Sequence, residues 1–235
     1  MGDGNPSTAP DTGSRGDATR EALIGAAVEL FGRRGYHAAS NRALAEAAGV
    51  NAALIGYHFG GKEGLYLAAF EHIAARMGER VGPMVAEVEA ALERAPEDGA
   101  APDDFLPLLH RLLDGFVAVL NSEESASWAR LIVREQQDPT DAFDILYRGM
   151  MGRALRLITR LVHRIEHPGA EEPEEPEALE RSRLTALTIA GQALVFRIAR
   201  TTALRHMEWD GIGPDEIARI QSRVRRNATA LLLGA

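Results

Sequence analysis

From residue 18 to residue 77 the apolar side chains recur at helical spacing, and the pattern is cut by glycine at Gly35, Gly49 and Gly60-Gly61. That punctuation excludes a sheet over this stretch: strands need a period of two, and glycine ends helices at their C-termini. The spacing predicts a first helix over 18–34, with Leu23, Ala26, Ala27, Leu30 and Phe31 on one stripe and Gly35 as its stop. A second, short helix is expected over 41–48, capped by Ser40, with Leu44, Ala47 and Ala48 inward and Gly49 at its end. Val50 fills the turn and Asn51 caps a third helix over 52–58. Phe59-Gly60-Gly61 then breaks the chain before a long fourth helix that Lys62 opens. Gly82-Pro83 is expected to kink or end that helix.

Helical periodicity continues over 104–121, 124–137, 139–166, 177–207 and 214–233. Asp138-Pro139 reads as a helix start, with Asp as cap and Pro at the first helical position. The polar stretch 93–104 and the acidic, proline-bearing stretch Glu166–Pro176 read as loops, the second of them mobile, and Trp209-Asp210-Gly211 separates the last two helices. Residues 1–17 lack periodic apolar positions and are expected to be a disordered tail. No stretch reads as a strand and no segment repeats. The expected fold class is all-α with about nine helices: a three-helix N-terminal domain over 18–64 and a helical domain over 65–235.

Several function classes drop out. The chain has no cysteine, which removes disulfides, zinc fingers and thiol chemistry together. No apolar run approaches the roughly 18 residues that span a bilayer, and no signal core opens the chain; a cytoplasmic protein without membrane partners is expected. There is no nucleophile elbow, phosphate-cradling glycine loop or HExxH. His110, His163, His167 and His206 are scattered rather than at metal-ligand spacing, and the acids at Asp103-Asp104 and Glu171–Glu177 fall in loops. No catalytic residue, metal site or cofactor is expected, and the chain is read as not an enzyme.

The net charge of −8 sits poorly with a nucleic-acid partner. Its distribution answers the objection: Arg15 to Arg80 carries eight Lys/Arg against seven Asp/Glu, so the acidic excess lies elsewhere. Phosphate contacts need local cations and N–H donors, not a basic whole protein. The two short helices meeting at Gly49-Val50 have the form of a helix-turn-helix, whose second helix enters the major groove with its N-terminal residues at base edges. Here that helix begins Asn51-Ala52-Ala53; Asn can pair with an adenine edge and Ala can touch a thymine methyl. A helical hairpin with a glycine turn also occurs in helical enzymes and ligand carriers, and the spacing alone leaves that alternative open.

The flanking residues speak to it. The strings AAVELFGRRGYHAAS, NRALAEAAGV and LIGYHFGGKEGLY together resemble the N-terminal domain of TetR-family regulators. The resemblance implies DNA-binding roles for Arg42 early on the second helix, for Asn51, Ala52 and Ala53, for the pair Tyr57 and His58 near the backbone, and for Lys62, which would grip phosphate at a helix N-terminus. The only lysine in the chain is Lys62. Gly56 departs from the family pattern, standing where many members carry a phosphate-contacting tyrosine. Each residue has a plainer reading: Tyr57 packed between helices, His58 bonded locally, Arg42 a solvated cation, Phe59 core.

Further on, ARLIVREQQDPTDAFDILYRGMM, GQALVFRIART and HMEWDGIG resemble the C-terminal domain of CecR-like TetR regulators. That implies a domain that binds a small-molecule effector and dimerises. Phe116, Trp128, Phe143 and Tyr147 are candidate pocket residues, with Met150 and Phe196; Arg134 and Gln192 are candidate polar groups, in keeping with mostly apolar ligand sites. The resemblance places the dimer contact on the last two long helices, where Leu184, Leu187, Ile189, Leu194 and Ile198 would meet a second copy together with Ile217, Ile220, Val224 and Leu231. The function so read is a homodimeric regulator, most simply a repressor, released from a palindromic double-stranded operator by its effector; a ligand-responsive activator is the alternative.

Overall fold

A computed structural model describes residues 12–95, 100–169 and 175–234. The described residues are helices joined by short connections, without a strand, so the all-α expectation holds. Two compact units are present, Met1–Ala69 and Phe70–Ala235, against an expected division after Gly64. The acidic stretch 170–174 and the first eleven residues, read as loop and tail, lie outside the described residues.

The first unit holds α1 (Thr12–Arg34), α2 (Asn41–Ala48), α3 (Ala53–Phe59) and the start of α4 (Lys62–Glu93). Residues 12–17, expected in the tail, are the first turns of α1. Leu23, Ala27 and Phe31 are buried as the stripe requires, but Ile24 and Val28 join them while Ala26 and Leu30 stay half-buried. On α2 Leu44 is buried with Ala45, whereas Ala47 is exposed. At about 100° per residue, Leu44, Ala45 and Ala48 fall on one side of a helix and Ala47 swings away from it; two turns are too few for sequence alone to choose between those faces. Phe31, Tyr36 and Tyr66 form an aromatic cluster, with centroids 5.0 Å apart for Phe31–Tyr66 and Tyr36–Tyr66 and 5.8 Å for Phe31–Tyr36.

The second unit contains the rest of α4 with α5 (Pro102–Asn121), α6 (Ser125–Gln137), α7 (Asp141–Leu146), a π-turn (Tyr147–Met151), α8 (Gly152–Glu166), α9 (Pro176–Ile198), α10 (Arg200–Met207) and α11 (Pro214–Leu233). Its core gathers Val85 and Val88 of α4, Phe105, Leu109 and Leu113 of α5, Leu157 and Leu161 of α8, Ile189 of α9 and Val224 of α11. Each such side chain contributes roughly 1.5–3 kcal/mol by leaving water.

Eleven α-helices among the described residues replace the expected nine, because two long segments are broken. The stretch 139–166 is not one helix. Thr140, not Asp138, caps α7 by accepting from Ala142 N–H at 3.2 Å, and Pro139 lies outside it. The buried Glu135 carboxylate holds this corner, accepting from Thr140 N–H at 2.6 Å and its hydroxyl at 2.7 Å. Within the π-turn Gly149 leaves helical geometry (φ −73°, ψ −136°). The stretch 177–207 breaks at Ala199 (φ −101°, ψ 33°). Conversely, α4 passes through Pro83 without ending.

The outer face of α9 also differs from expectation. Leu184, Leu187 and Ile198 are exposed, as is Leu231 on α11, but Ile189, Ile220 and Val224 are spent in the unit's own core, Leu194 and Ile217 are half-buried, and Val195 joins the exposed set.

Candidate nucleic-acid interface

The turn between α2 and α3 is built by local chemistry. Ser40 caps α2, its Oγ accepting from Ala43 N–H at 3.2 Å, an interaction worth about 1 kcal/mol. Gly49 ends the helix in the left-handed region (φ 70°), its N–H returning to the α2 carbonyls. The chain thereby reverses within Gly49-Val50, where a Cβ at the left-handed position is disfavoured. Asn51 then sets up α3: its Oδ1 accepts from Ala53 N–H at 2.8 Å and its carbonyl from Leu54 N–H at 3.0 Å. Helix α3 starts at Ala53, one residue later than expected, so Asn51 acts from just outside it.

Ile55 anchors α3, fully buried, with Leu54 and Phe59 half-buried. The opposite face carries Ala52, Ala53, Gly56 and Tyr57, all exposed, Tyr57 to 81%. These positions recur at i, i+1, i+4 and i+5, one side of a helix. Three of the four are Ala or Gly, so the face has little relief and permits close approach of another surface. A Cβ at Gly56 would meet nothing within 4 Å, so the missing tyrosine is not a steric requirement of this fold. Tyr57 does not pack between helices; its ring meets only its neighbour His58 edge-on at 4.9 Å, and His58 is half-buried. Phe59 is not full core: the Arg20 guanidinium lies 5.5 Å from its ring centre.

Lys62 is the first residue of α4 and half-buried. Its Nζ sits 4.4 Å over the Tyr36 ring, a cation–π contact that aims the ammonium without neutralising it. Arg42 differs: it is exposed and its Nε bonds Glu46 Oε1 at 2.8 Å. An exposed pair of this kind is worth at most about 1 kcal/mol, so an incoming phosphate can take the guanidinium from Glu46.

Two residues with structural roles went unassigned from sequence. Tyr36 holds Lys62, and nothing in its spacing marks it. Gly64 lies where a Cβ would be 1.9 Å from the Phe59 carbonyl oxygen; α3 and α4 meet there so closely that only glycine fits. Nothing in the sequence around Gly64 marks that approach.

The expected effector-pocket residues are less concentrated. Phe116, Met150 and Phe196 are half-buried against one core, and Trp128 is buried on α6. Phe143 stacks on Tyr147 at 6.0 Å beside the π-turn, Tyr147 being 45% exposed. Arg134 is exposed. Gln192 accepts from Asn227 Nδ2 of α11 at 2.9 Å. Gln192 lies one turn before Phe196 on α9. A surface depression of about 370 Å³ lies on α11 between Ala218, Arg219, Ser222, Arg223 and Arg226, and no expected pocket residue borders it. Among the described residues no cluster of metal-ligating side chains occurs and no helix is long and apolar enough to cross a membrane.

Comparison with known proteins bears on both units. Residues 23–69 match the profile of bacterial regulatory proteins of the TetR family, and residues 107–235 match that of the C-terminal domain of the HTH-type transcriptional dual regulator CecR. The chain is 28% identical to that dual regulator from Shigella flexneri over 94% of both chains. A shorter similarity, 52% identity over 59 residues, relates 25% of this chain to 27% of the HTH-type regulatory protein RaaS of Mycobacterium tuberculosis. Among solved structures, a TetR-family regulator from Mesorhizobium loti superposes with a TM-score of 0.55 at 19% identity, covering 93% of this chain and 97% of that one. The helix-turn-helix, the helical second unit and the two profile matches agree: this chain belongs to the TetR family of transcriptional regulators, with a C-terminal domain of the CecR kind, and is a DNA-binding regulator, not an enzyme.

Proposed function

We propose that the protein works in the cytoplasm as a homodimer that lays α3 of each copy into successive major grooves of a palindromic operator and is released by a small-molecule effector. The observation that carries this reading is the exposed, low-relief face of Ala52, Ala53, Gly56 and Tyr57 with the Lys62 ammonium at the start of the next helix. Ala52, Ala53 and Asn51 would face base edges, while Arg42, Tyr57, His58 and Lys62 would meet the phosphate backbone.

The exposed Leu184, Leu187, Val195 and Ile198 run along one side of α9, and Leu231 and Leu233 are exposed on α11. A two-fold axis makes such a patch self-complementary, and it spaces two heads to read half-sites about one helical turn apart. The effector would occupy space near Phe116, Trp128, Met150 and Phe196, with Phe143 and Tyr147 at its edge. It lowers operator affinity only if it binds better to a dimer whose heads are wrongly spaced. Repression is the simplest output; activation follows from the same contacts where the operator lies upstream of a promoter, and the relative from Shigella flexneri is itself named a dual regulator.

The test is selection of bound fragments from sheared genomic DNA of the source organism at about 150 mM salt, where nonspecific binding is weak. Enrichment of a few palindromic sites is the expected result. Recovery of random fragments by folded, dimeric protein overturns the reading.

A further inference from the structure

Several guanidiniums gather where α5 turns into α6. Arg76 donates to Glu124 Oε1 through Nε at 3.0 Å and Nη2 at 2.8 Å, and to Glu79 at 2.8 Å through Nη1. Arg80 reaches Glu124 Oε2 at 3.0 Å and Ser122 Oγ at 3.1 Å. The single carboxylate of Glu124 thus serves two cations, and Glu123 beside it is exposed to solvent.

A third guanidinium, Arg197 near the end of α9, finds only neutral acceptors. Its Nη2 donates to the Ser122 carbonyl at 3.0 Å and to Ser125 Oγ at 2.5 Å. Its Nε is buried and has no acceptor among the described residues. Burial, and then the neighbouring charges of Arg200 and Arg130, hold its ionisation below the ordinary guanidinium range. The side chain as a whole is half-buried, yet an arginine so placed is an expensive way to hold a turn, because a partly desolvated charge without a counter-charge and a buried donor without an acceptor are both unfavourable. The two serine oxygens fix the plane of the group while leaving its charge uncompensated, the arrangement of a site preorganised for an anion.

We propose that Arg197, held by Ser122 and Ser125 and flanked by Arg200, receives the anionic head of the effector, a carboxylate or phosphoryl group. The inference rests on the effector-responsive reading above and narrows it from small molecules in general to acids. The apolar residues Phe116, Met150 and Phe196 would take the remainder of such a molecule, which would then be an amphipathic acid.

The test uses full-length protein labelled with 15N in its arginine side chains, with R197K to identify the Arg197 Nε–H signal by its loss. The probes are sodium octanoate, inorganic phosphate and, as a neutral counterpart of the first, octan-1-ol, all at constant ionic strength. The expected result is a saturable shift of the Arg197 signal with octanoate and with phosphate, at dissociation constants of about 1 mM or tighter, and none with octan-1-ol. R197Q should weaken octanoate binding at least tenfold in calorimetry, yet still select the same genomic fragments. An Arg197 signal unmoved by both anions overturns the proposal, as does one that responds equally to octan-1-ol. A signal that responds only after the dimer is dissociated also overturns it, because a carboxylate of the second copy would then be the partner. If R197Q fails to fold, the titration of the unsubstituted protein decides alone. Failure of the regulator reading is separately visible: the unsubstituted protein would then select no genomic site, whatever its anion response.

Discussion

Gly64→Ala would place a Cβ 1.9 Å from the Phe59 carbonyl oxygen and 3.0 Å from its carbon. Those atoms are backbone at the end of α3, so no rotamer change relieves the overlap; α3 and α4 must part by more than about 1 Å before the approach ceases to repel. The connection cannot absorb this easily, because Gly60 and Gly61 already hold it at φ 73° and 142°. Overpacking of this kind costs about 1–3 kcal/mol, and in a unit of this size each kcal/mol lowers the midpoint by about 4–8 °C, so the N-terminal unit should melt roughly 5–20 °C earlier. Displacement of α3 should also lower operator affinity at least tenfold. Gly25→Ala is the control: it is chemically the same change on exposed α1 surface with nothing within 4 Å of the new carbon, and it should stabilise by about 0.5–1 kcal/mol. Thermal unfolding followed by circular dichroism, with affinity for the selected fragment, reads both. A Gly64→Ala midpoint within about 2 °C of the parent, or the same sign of change in both variants, would refute the close approach.

Lys62→Ala should weaken binding to all DNA sequences about equally and reduce the slope of log affinity against log salt by about 0.9 for each phosphate that the ammonium no longer neutralises; an unchanged slope removes Lys62 from the interface. Leu187→Arg puts charge into the exposed stripe of α9 and should turn the dimer into a folded monomer in sedimentation, with operator binding falling to that of one half-site; a persisting dimer would place the interface elsewhere. His110 bonds Thr229 Oγ1 at 2.9 Å, and burial first, then the charge of Arg225, hold it below its ordinary value of 6.5. The unfolded chain therefore binds the proton first, so the stability from this group is full above about pH 6.5, declines as the pH falls below it and levels off beneath the folded-state value. His110→Gln should flatten the fall in melting temperature between about pH 7.5 and about pH 5.5, and an undiminished fall assigns it to other groups.

What can be read from sequence follows the range of the forces involved. Gly35, Ser40 and Gly49 are legible because a cap or a left-handed stop is decided by residues within four positions. The exchange of Ala47 for Ala45, the inward turn of Ile189 and Val224 and the break at Ala199 depend on what packs against each helix, and periodicity does not name the partner. Gly64 looks like any other glycine because its reason is a neighbouring carbonyl five residues earlier in another helix. The residues proposed to face DNA can be named as a group from sequence since they lie in one short stretch. Those proposed to meet an effector cannot, because Phe116 and Phe196 have the same chemistry whether they line a cavity or fill a core. Arg197 carries no sequence signal at all: an arginine late in a helix ordinarily reads as a solvated cation, and only its buried Nε and its neutral partners distinguish it.

The carboxamide of Asn51 is already half employed, its oxygen committed to Ala53 N–H. What remains to face a base edge is the amide nitrogen, which only donates. Adenine is distinguished in the major groove by an acceptor and a donor side by side, whereas N7 alone is common to adenine and guanine. A residue that spends its acceptor on starting its own helix is left with a donor that suits N7 of either purine, O6 of guanine or O4 of thymine, and so turns away cytosine alone. In the aligned genomic fragments, the base opposite Asn51 should be A, G or T and rarely C, and an invariant adenine there would mean that the cap lets go when DNA arrives.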